Sequence, residues 1–335
     1  MQDLINALSK AEAYPHPVKE IKVIVTAISV VFLTGDFAYK ICKPLNLGFL
    51  DFSTLEKRKL NCEKEFEFNH LITPEIYLGV EEIRNEAGKI KVGRKEGEIT
   101  EYALKMKQMD PNSIMNKLLK ENKIGLFEVK ALAQNIFHFH QIAPTNAHIS
   151  KFGELKEIKF NWDENFQKTE RYKEKLISKE DFAFIQDNIN KFMGKNKALF
   201  QQRADNGKIK HCHGDFHSEN VFMANDKIFI FDGIAFNERF PYSDIIAEIA
   251  YLAMDLDFYD RKDLSEEFIL EYQMLSQDKD IPKLLNFYKC YRAYIRGWVN
   301  CFTWEDTNLS LQKKEEHEEK ARKYFALAKS YLLDM

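Results

Sequence analysis

Three side chains whose oxygen atoms could serve one phosphate-transfer reaction stand close together in the sequence: Asp215, Asn220 and Asp232. Asn220 and Asp232 flank two short runs of β-branched and aromatic residues, which the turn-forming segment Ala224–Lys227 joins. This pattern predicts an antiparallel hairpin whose ends meet. An amide oxygen and a carboxylate would then face one point, as Mg²⁺ requires. Asp215 begins the same loop, where its carboxylate could accept the proton of an acceptor hydroxyl, so the spacing predicts a phosphoryl-transfer site.

The histidines around Asp215 allow a second interpretation. Their alternation looks superficially like the H-x-H-x-D-H ligand run of metallo-hydrolases. That run needs the aspartate directly before its last histidine, and here Phe216 separates Asp215 from His217. It also needs further histidines downstream, where the sequence offers only His317 in a charged tail. The sequence therefore favours a phosphotransferase over a metallo-hydrolase.

The loop resembles the H-G-D-x-H-x-x-N motif of the aminoglycoside phosphotransferase and choline kinase group. The matching residues are His213, Gly214, Asp215, His217 and Asn220, with Asp232 at the position of the second metal aspartate. The chain is also similar to a bacterial family of uncharacterised aminoglycoside phosphotransferase-like proteins. That similarity covers Val31–Lys43, Phe49–Leu60, Tyr102–Met106, His213–Asn220 and Asp232–Asp257.

The resemblance implies an ATP-dependent kinase that acts on a hydroxyl of a small metabolite, although the sequence does not separate ATP from GTP. Asp215 would be the base, His213 would anchor the loop, and Asn220 and Asp232 would hold Mg²⁺. The implied fold is α+β and protein-kinase-like with two lobes. We expect a small β-rich lobe over residues 1–107 and a larger helical lobe over 108–335, because the proline at 111 ends the last strand of the small lobe.

The predicted strand Phe37–Lys43 carries the candidate nucleotide lysine. Ala38 and Lys40 share one face of this strand because side chains alternate. A small residue two positions before a lysine is the A-x-K pattern of kinases, in which the lysine reaches the phosphates beside the adenine. Lys43 lies on the opposite face and is the alternative.

The turn Thr26–Ser29 precedes that strand and contains no glycine. In phosphotransferases of this shape the corresponding turn covers the nucleotide phosphates. Backbone amides and the Ser29 hydroxyl are left for that role here. The missing glycine favours the alternative function, a nucleotide-binding pseudokinase without transfer activity.

A long helix is predicted to begin at Ser53, with Glu56 as the partner in a capping box. It must carry the glutamate that pairs with the nucleotide lysine. Glu63, Glu65 and Glu67 all compete for this role, and the resemblance places it at Glu65.

The chain beyond residue 113 is predicted to be mainly helical, including Lys179–Arg203 and Tyr242–Leu256. The resemblance implies that Asp244 braces the catalytic loop by accepting backbone hydrogen bonds. Glu248 stands where the group more often has aspartate.

The acceptor is expected to be a small molecule. Only Gly233–Tyr242 separates Asp232 from the next predicted helix, which is too short for the activation segment of a protein kinase. Acids near this place favour a neutral or cationic acceptor: Glu238, Asp255 and Asp257. Two arginines either face the same pocket or form a surface pair: Arg292 and Arg296.

The composition is that of a globular protein, with 45% hydrophobic and 30% charged residues. A net charge of −3 gives no electrostatic basis for binding nucleic acid or an anionic membrane. The five cysteines contain no C-x-x-C pair, as expected for reduced thiols. The apolar run Val23–Leu33 is too short to span a bilayer, and no signal sequence precedes it. We therefore expect a cytoplasmic location.

Overall fold

The computed structural model describes residues 1–48, 50–224, 227–333 and 335. They divide into two compact units, one formed by Met1–Ile114 with Val221–Glu238 and the other by Met115–Asn220 with Arg239–Met335. The division expected from the sequence, 1–107 and 108–335, stays a prediction.

An antiparallel sheet is the framework of the first unit. Its strands are Lys22–Val25 (β1), Ser29–Leu33 (β2), Phe37–Cys42 (β3), Tyr77–Glu86 (β4), Lys89–Val92 (β5) and Glu98–Lys107 (β6), with helices Gln2–Leu8 (α1) and Leu55–Ile72 (α2). Among the described residues, these six strands pair in the order β1-β2-β3-β6-β4-β5.

The two faces of this sheet pack against different helices. Tyr39 and Ile41 of β3 lie in a buried cluster with residues of α1. Cys42 packs on the opposite face with Cys62 of α2. Because side chains alternate along a strand, Lys40 shares the face of Cys42 and is directed toward α2.

Thr54, not Ser53, caps the N-terminus of α2, because its side chain accepts a hydrogen bond from the backbone of Lys57. The Ser53 hydroxyl instead donates to Asp51 Oδ1 at 2.6 Å. The predicted N-cap is therefore wrong by one residue.

The hairpin predicted before Asp232 is present in the first unit. Its strands are Val221–Ala224 and Lys227–Ile230, and Val221 pairs with Ile230. The turn residues Asn225 and Asp226, on which the prediction of the turn rested, lie outside the described residues.

The second unit is mainly helical. Its helices are Met115–Lys120 (α3), Leu126–Ile142 (α4), Ala147–Ser150 (α5), Leu155–Thr169 (α6), Lys179–Lys195 (α7), Lys197–Asp205 (α8), Ile245–Phe258 (α9), Lys262–Ser276 (α10), Ile281–Trp304 (α11) and Leu311–Leu333 (α12). Its short strands are Ile209–His211 (β7) and Tyr242–Asp244 (β10). The hairpin strands of the first unit, Val221–Ala224 and Lys227–Ile230, are β8 and β9. Every residue of α9 from Ile245 to Leu256 is buried, as expected for a helix that is apolar on all sides. In the part of the chain that the structure describes, no helix has the length and apolar character needed to cross a membrane.

Two predicted helices differ from the structure. The segment predicted as one helix over Lys179–Arg203 is two helices, α7 and α8, because Asn196 leaves helical geometry at φ −109° and ψ 19°. The helix predicted from Tyr242 begins at Ile245, because Tyr242–Asp244 pairs with β7 as a short strand. This pairing anchors the chain immediately before the loop His213–Asn220.

Candidate active site

Lys40 and Glu65 are in direct contact in the first unit. Lys40 Nζ donates to Glu65 Oε1 at 2.7 Å and to Asp232 Oδ1 at 2.8 Å. Glu63 instead lies 3.6 Å from Lys59, and Glu67 is exposed. The structure therefore brings together the lysine and the glutamate that the sequence proposed as partners, and adds Asp232, the predicted metal ligand, to the pair.

Burial and charge act in opposite directions on this cluster. Burial lowers the pKa of Lys40, but the carboxylates of Asp232 and Glu65 outweigh it and raise the pKa well above 10.5. Burial also raises the pKa of Glu65, which the Lys40 ammonium partly offsets. The lysine is therefore a permanent cation between two carboxylates.

Asp232 is held by two residues that the sequence did not single out. Its backbone N–H donates to the Tyr77 hydroxyl at 2.8 Å. The next amide, of Gly233, donates to Asn69 Oδ1 at 2.7 Å. Asp232 itself has a φ of 63°, a conformation that favours glycine and persists only where surrounding contacts hold it. A signal for Asn69 was present, because it lies one turn after Glu65 on the same helix face.

Ser29 and Ala38 are both buried, at 3% and 6% exposure. The Ser29 hydroxyl forms a 2.9 Å hydrogen bond with the Thr26 hydroxyl and thus serves the turn itself. Lys43 Nζ donates to the Thr26 carbonyl of the same turn. Lys43, the alternative nucleotide lysine, is therefore directed to the turn and not to the carboxylate cluster that Lys40 contacts.

Asp215 lies in the second unit among hydrogen-bond donors of its own loop. Asn220 Nδ2 donates to the Asp215 carbonyl at 2.9 Å and to its Oδ2 at 3.0 Å. His217 Nε2 lies 3.3 Å from the same Oδ2. The tight loop that ends in a single 3₁₀ turn at Ser218–Asn220 makes these contacts possible. The predicted base is thus oriented by two residues of the motif.

The charge on Asp215 is stabilised by this environment. Burial would raise the pKa of Asp215, but His217, Arg296 and His213 together hold it well below its ordinary value of 3.8. In return, Asp215 raises the pKa of His217 despite the burial of the ring. The loop therefore holds an ionised carboxylate over the whole physiological pH range.

Glu248 is the carboxylate that braces the loop His213–Asn220, which contains the predicted base. It accepts the backbone N–H of His213 through Oε2, at 2.5 Å, and that of Gly214 through Oε1, at 2.9 Å. Asp244, to which the sequence assigned this role, pairs with Arg203 and accepts the N–H of Ile246 at the start of α9. That assignment is wrong because Asp244 ends a strand and caps the helix, whereas Glu248, one turn further on, lies beneath the loop.

Other contacts complete the support of the loop. His213 is fully buried and its Nδ1 accepts the N–H of Asp215 at 3.3 Å, as an anchoring residue would. Arg292 Nη1 donates to the Gly214 carbonyl at 3.2 Å. Gly214 has a φ of +84°, and a Cβ there would lie 3.1 Å from the Pro241 backbone. A side chain at this position is excluded on both counts.

A buried group of ligand-type atoms lies behind this loop. His140, Cys212 and Glu248 place one such atom each within 4.8 Å of one another. Both Glu248 oxygens already accept loop amides, and His140 Nδ1 is 2.6 Å from the Tyr272 hydroxyl. Burial raises the pKa of the Cys212 thiol well above 9.0. The group is therefore accounted for as the polar support of the loop.

Comparison with solved structures defines the class of fold. The chain has the two-lobed, protein-kinase-like α+β fold of choline kinases and aminoglycoside phosphotransferases, which confirms the fold class and the resemblance expected from the sequence. It is similar to choline kinase from Cryptosporidium parvum, with a TM-score of 0.56 and 14% identity over 94% of this chain and 90% of that one. A choline/ethanolamine kinase family protein from Mesorhizobium loti has a TM-score of 0.53 and 9% identity, over 99% and 100% of the two chains. A putative aminoglycoside phosphotransferase from Ralstonia eutropha has a TM-score of 0.50 and 10% identity, over 100% and 98%.

Sequence comparison leads to uncharacterised proteins. Relatives from Mycobacterium bovis and Mycobacterium tuberculosis are 31% identical to this chain over 289 residues, which is 85% of the chain. The aligned part is 56% of the length of those relatives, so the chain spans little more than half of each. No family model matches the chain.

Proposed function

We propose that this protein is an ATP-dependent phosphotransferase that moves the γ-phosphate to a hydroxyl of a small molecule. The observation that carries the proposal is the position of Lys40 between the Glu65 and Asp232 carboxylates, at 2.7 and 2.8 Å. A lysine oriented by a glutamate and placed beside a metal-binding aspartate is the arrangement that holds nucleotide phosphates in protein-kinase-like enzymes. The fold shared with choline kinase agrees with this chemistry.

The residues proposed to hold Mg²⁺ retain suitable oxygen atoms. Asp232 uses Oδ1 for Lys40, and among the described residues its Oδ2 makes no hydrogen bond; the side chain is 48% exposed. Asn220 uses Nδ2 for Asp215, which leaves its Oδ1 without a partner in the described part of the chain. Carboxylate and amide oxygens are the ligands that Mg²⁺ prefers. Bound there, Mg²⁺ would neutralise charge on the phosphates during transfer.

Asp215 is the proposed base. Its carboxylate is 36% exposed and ionised, and His217 and Asn220 fix its orientation. An acceptor hydroxyl that donates to Asp215 would be aligned for attack, and its proton would pass to the carboxylate as the new oxygen–phosphorus bond forms. Lys40 would meanwhile orient the α- and β-phosphates, and Ala38 would leave room for the adenine ring.

A nucleotide-binding protein without transfer activity is the second candidate. The observation that favours it is the turn Thr26–Ser29, which lacks glycine and whose serine hydroxyl is engaged with Thr26. Phosphate contacts from this turn would be limited to backbone amides. Retention of Asp215, Asn220 and Asp232 together favours the enzyme.

The substitution Asp215→Asn tests the proposal. We expect turnover to fall by about two to four decades, the range for a lost general base, with ATP affinity within a few-fold of the parent. ADP release with Mg²⁺ and a pool of hydroxylated metabolites measures turnover, and calorimetry measures nucleotide affinity. Asp187→Asn, an exposed aspartate on α7, is the matched control. Equal turnover in Asp215→Asn and the control would remove Asp215 from the reaction, and ATP binding without Mg²⁺-dependent ADP release would establish the second candidate.

A further inference from the structure

Two of the acids expected to attract a cationic acceptor, Asp255 and Asp257, already form hydrogen bonds within the protein. Asp255 is 2% exposed, and its Oδ2 accepts the backbone N–H of Ser218 at 2.9 Å. Asp257 Oδ2 is bound by Lys289 Nζ at 2.8 Å and by the Tyr331 hydroxyl at 2.6 Å. Within the second unit, neither carboxylate is available to an ammonium group, so the sequence-based reason for a cationic acceptor does not hold there.

Arg296 on α11 is more exposed than the two buried arginines of the same unit, Arg203 and Arg292. Arg203 is 1% exposed and forms ion pairs with Asp244 and Asp278. Arg292 donates hydrogen bonds to the carbonyls of Ala247 and Gly214. Both are buried and therefore serve the structure of the unit.

Arg296 keeps 21% of its side chain exposed, and its polar side-chain contacts in the described part of the chain are long. Its Nη2 is 3.3 Å from Glu219 Oε2, and its Nε is 3.4 Å from the Tyr324 hydroxyl. Glu219 is 46% exposed, and it also lies 3.5 Å from Asn116 Nδ2 and 3.9 Å from His217 Nδ1. Long, exposed ion pairs of this kind contribute little to stability, so an oxyanion of better geometry can displace Glu219 from the guanidinium.

The Arg296 charge reaches the carboxylate of the proposed base. Glu219 Oε2, the partner of Arg296, is 3.9 Å from His217 Nδ1, and His217 Nε2 is 3.3 Å from Asp215 Oδ2. Tyr251, which is 4% exposed, interacts electrostatically with both Asp215 and Arg296, and its ring is 5.1 Å from that of His217. Asp215, Tyr251 and Arg296 are thus near neighbours.

We propose that Arg296 binds an oxyanion of the acceptor, a carboxylate or phosphate on the carbon skeleton that carries the reacting hydroxyl. This inference rests on the proposed function and defines its acceptor class as hydroxylated organic anions. The hydroxyl would donate to Asp215 while the oxyanion replaces Glu219 on the guanidinium. In the transfer itself, the acceptor oxygen forms a bond to the γ-phosphorus, the bond from that phosphorus to the β-γ bridging oxygen breaks, and ADP leaves with the bonding electrons. The hydroxyl proton passes to Asp215 and then to solvent.

Charge-assisted hydrogen bonds from a guanidinium to an oxyanion set the expected size of the effect. Loss of such contacts corresponds to about a ten- to hundredfold change in affinity. Arg296→Gln should therefore raise KM for an anionic acceptor by about that factor, with a smaller change in kcat. Glu219→Gln should act in the opposite direction and lower the same KM, because it removes the competing carboxylate. Arg322→Gln, on the exposed face of α12, is the matched control.

The experiment uses acceptors that share one three-carbon skeleton and differ in charge. Glycerate and glycerol 3-phosphate carry an oxyanion, glycerol is neutral, and 3-amino-1,2-propanediol is cationic. ADP release and thermal stabilisation are measured for each compound with the full chain and Mg²⁺-ATP or Mg²⁺-ADP. We expect responses to the two anions, which also separate a carboxylate from a phosphate preference, and weak or no responses to the other two compounds.

Several results would overturn the inference while leaving the proposed function intact. They are a response confined to the neutral or cationic compound, and an Arg296→Gln variant that lowers kcat equally for every acceptor, which would place the arginine on the transferring phosphate. The absence of any anion-dependent signal in both assays would also overturn it. If Arg296→Gln proves unstable in urea, the exposed Glu219→Gln variant still decides the matter through the direction of its KM change. A failure of the proposed function is distinguishable, since ADP release would then be absent with every acceptor, whether or not Mg²⁺-ATP still binds.

Discussion

Replacing Glu65 by glutamine removes one negative charge from the Lys40 cluster without changing the shape of the side chain. Lys40 Nζ is 2.7 Å from Glu65 Oε1, and the two side chains are 16% and 9% exposed. In the variant, Lys40 keeps its 2.8 Å contact with Asp232, so it stays charged but is no longer drawn to α2. The substitution therefore tests the orientation of the lysine rather than its presence.

The magnitude follows from the charge-assisted character of the contact. A hydrogen bond to a charged group contributes about 1.5–3 kcal/mol, which corresponds to about a ten- to hundredfold loss of affinity for Mg²⁺-ATP. The free energy of unfolding should change less, because Asp232 still balances the lysine and a buried charge has been removed. We therefore expect a loss of ATP affinity that exceeds any loss of stability.

Calorimetric titration with Mg²⁺-ATP and urea unfolding measure the two quantities separately. Glu63→Gln and Glu67→Gln are matched controls two residues away on the same helix, where Glu63 pairs with Lys59 and Glu67 is exposed. Both controls should bind ATP within about twofold of the parent. Equal losses in all three variants, or unchanged affinity in Glu65→Gln, would refute the proposed role of the Lys40–Glu65 pair.

Three further predictions concern other candidate residues. Lys40→Ala should weaken ATP binding more than Lys43→Ala, because Lys43 Nζ contacts the Thr26–Ser29 turn rather than the carboxylates; titration of both variants checks this order. Glu248→Gln should lower the free energy of unfolding by about 2–4 kcal/mol, since a buried charge-assisted acceptor of two loop amides is replaced by a group with one donor end, and urea unfolding at pH 7 measures it. His217→Asn should move the acid limb of the pH profile of kcat/KM to higher pH, because the positive ring lowers the pKa of the catalytic aspartate and only its ionised form accepts the proton. An unshifted acid limb would contradict that last cause.

Agreement between sequence and structure is closest where the contacts are local. The hairpin after Asn220 is present, with Val221 opposite Ile230, because its alternating apolar pattern and its turn lie within a few residues of each other. Alternation along β3 likewise predicted that Lys40 would face away from the Tyr39 side of the sheet. Such features depend on the periodicity of a single strand, which a sequence displays directly.

Disagreement is greatest where distant segments compete for one role. Asp244 and Glu248 both lie near the start of α9, and the choice between them as the loop brace depends on where Arg203 packs. Arg203 pairs with Asp244, which leaves Glu248 for the loop amides. No local pattern reports these competing partners.

The sequence by itself determined the chemistry of this protein's candidate site. The residue types of the loop, its spacing to Asp232 and the A-x-K pattern of β3 predict a base, two oxygen ligands and a phosphate-binding lysine, because each pattern depends on short-range order. Only the tertiary structure decided which glutamate of α2 meets Lys40, which carboxylate holds the loop, and that Asp255 and Asp257 are already bound while Arg296 is not saturated. The physical reason is that burial and pairing of a charge depend on side chains brought from far along the chain, and these contacts exist only after the helices have packed.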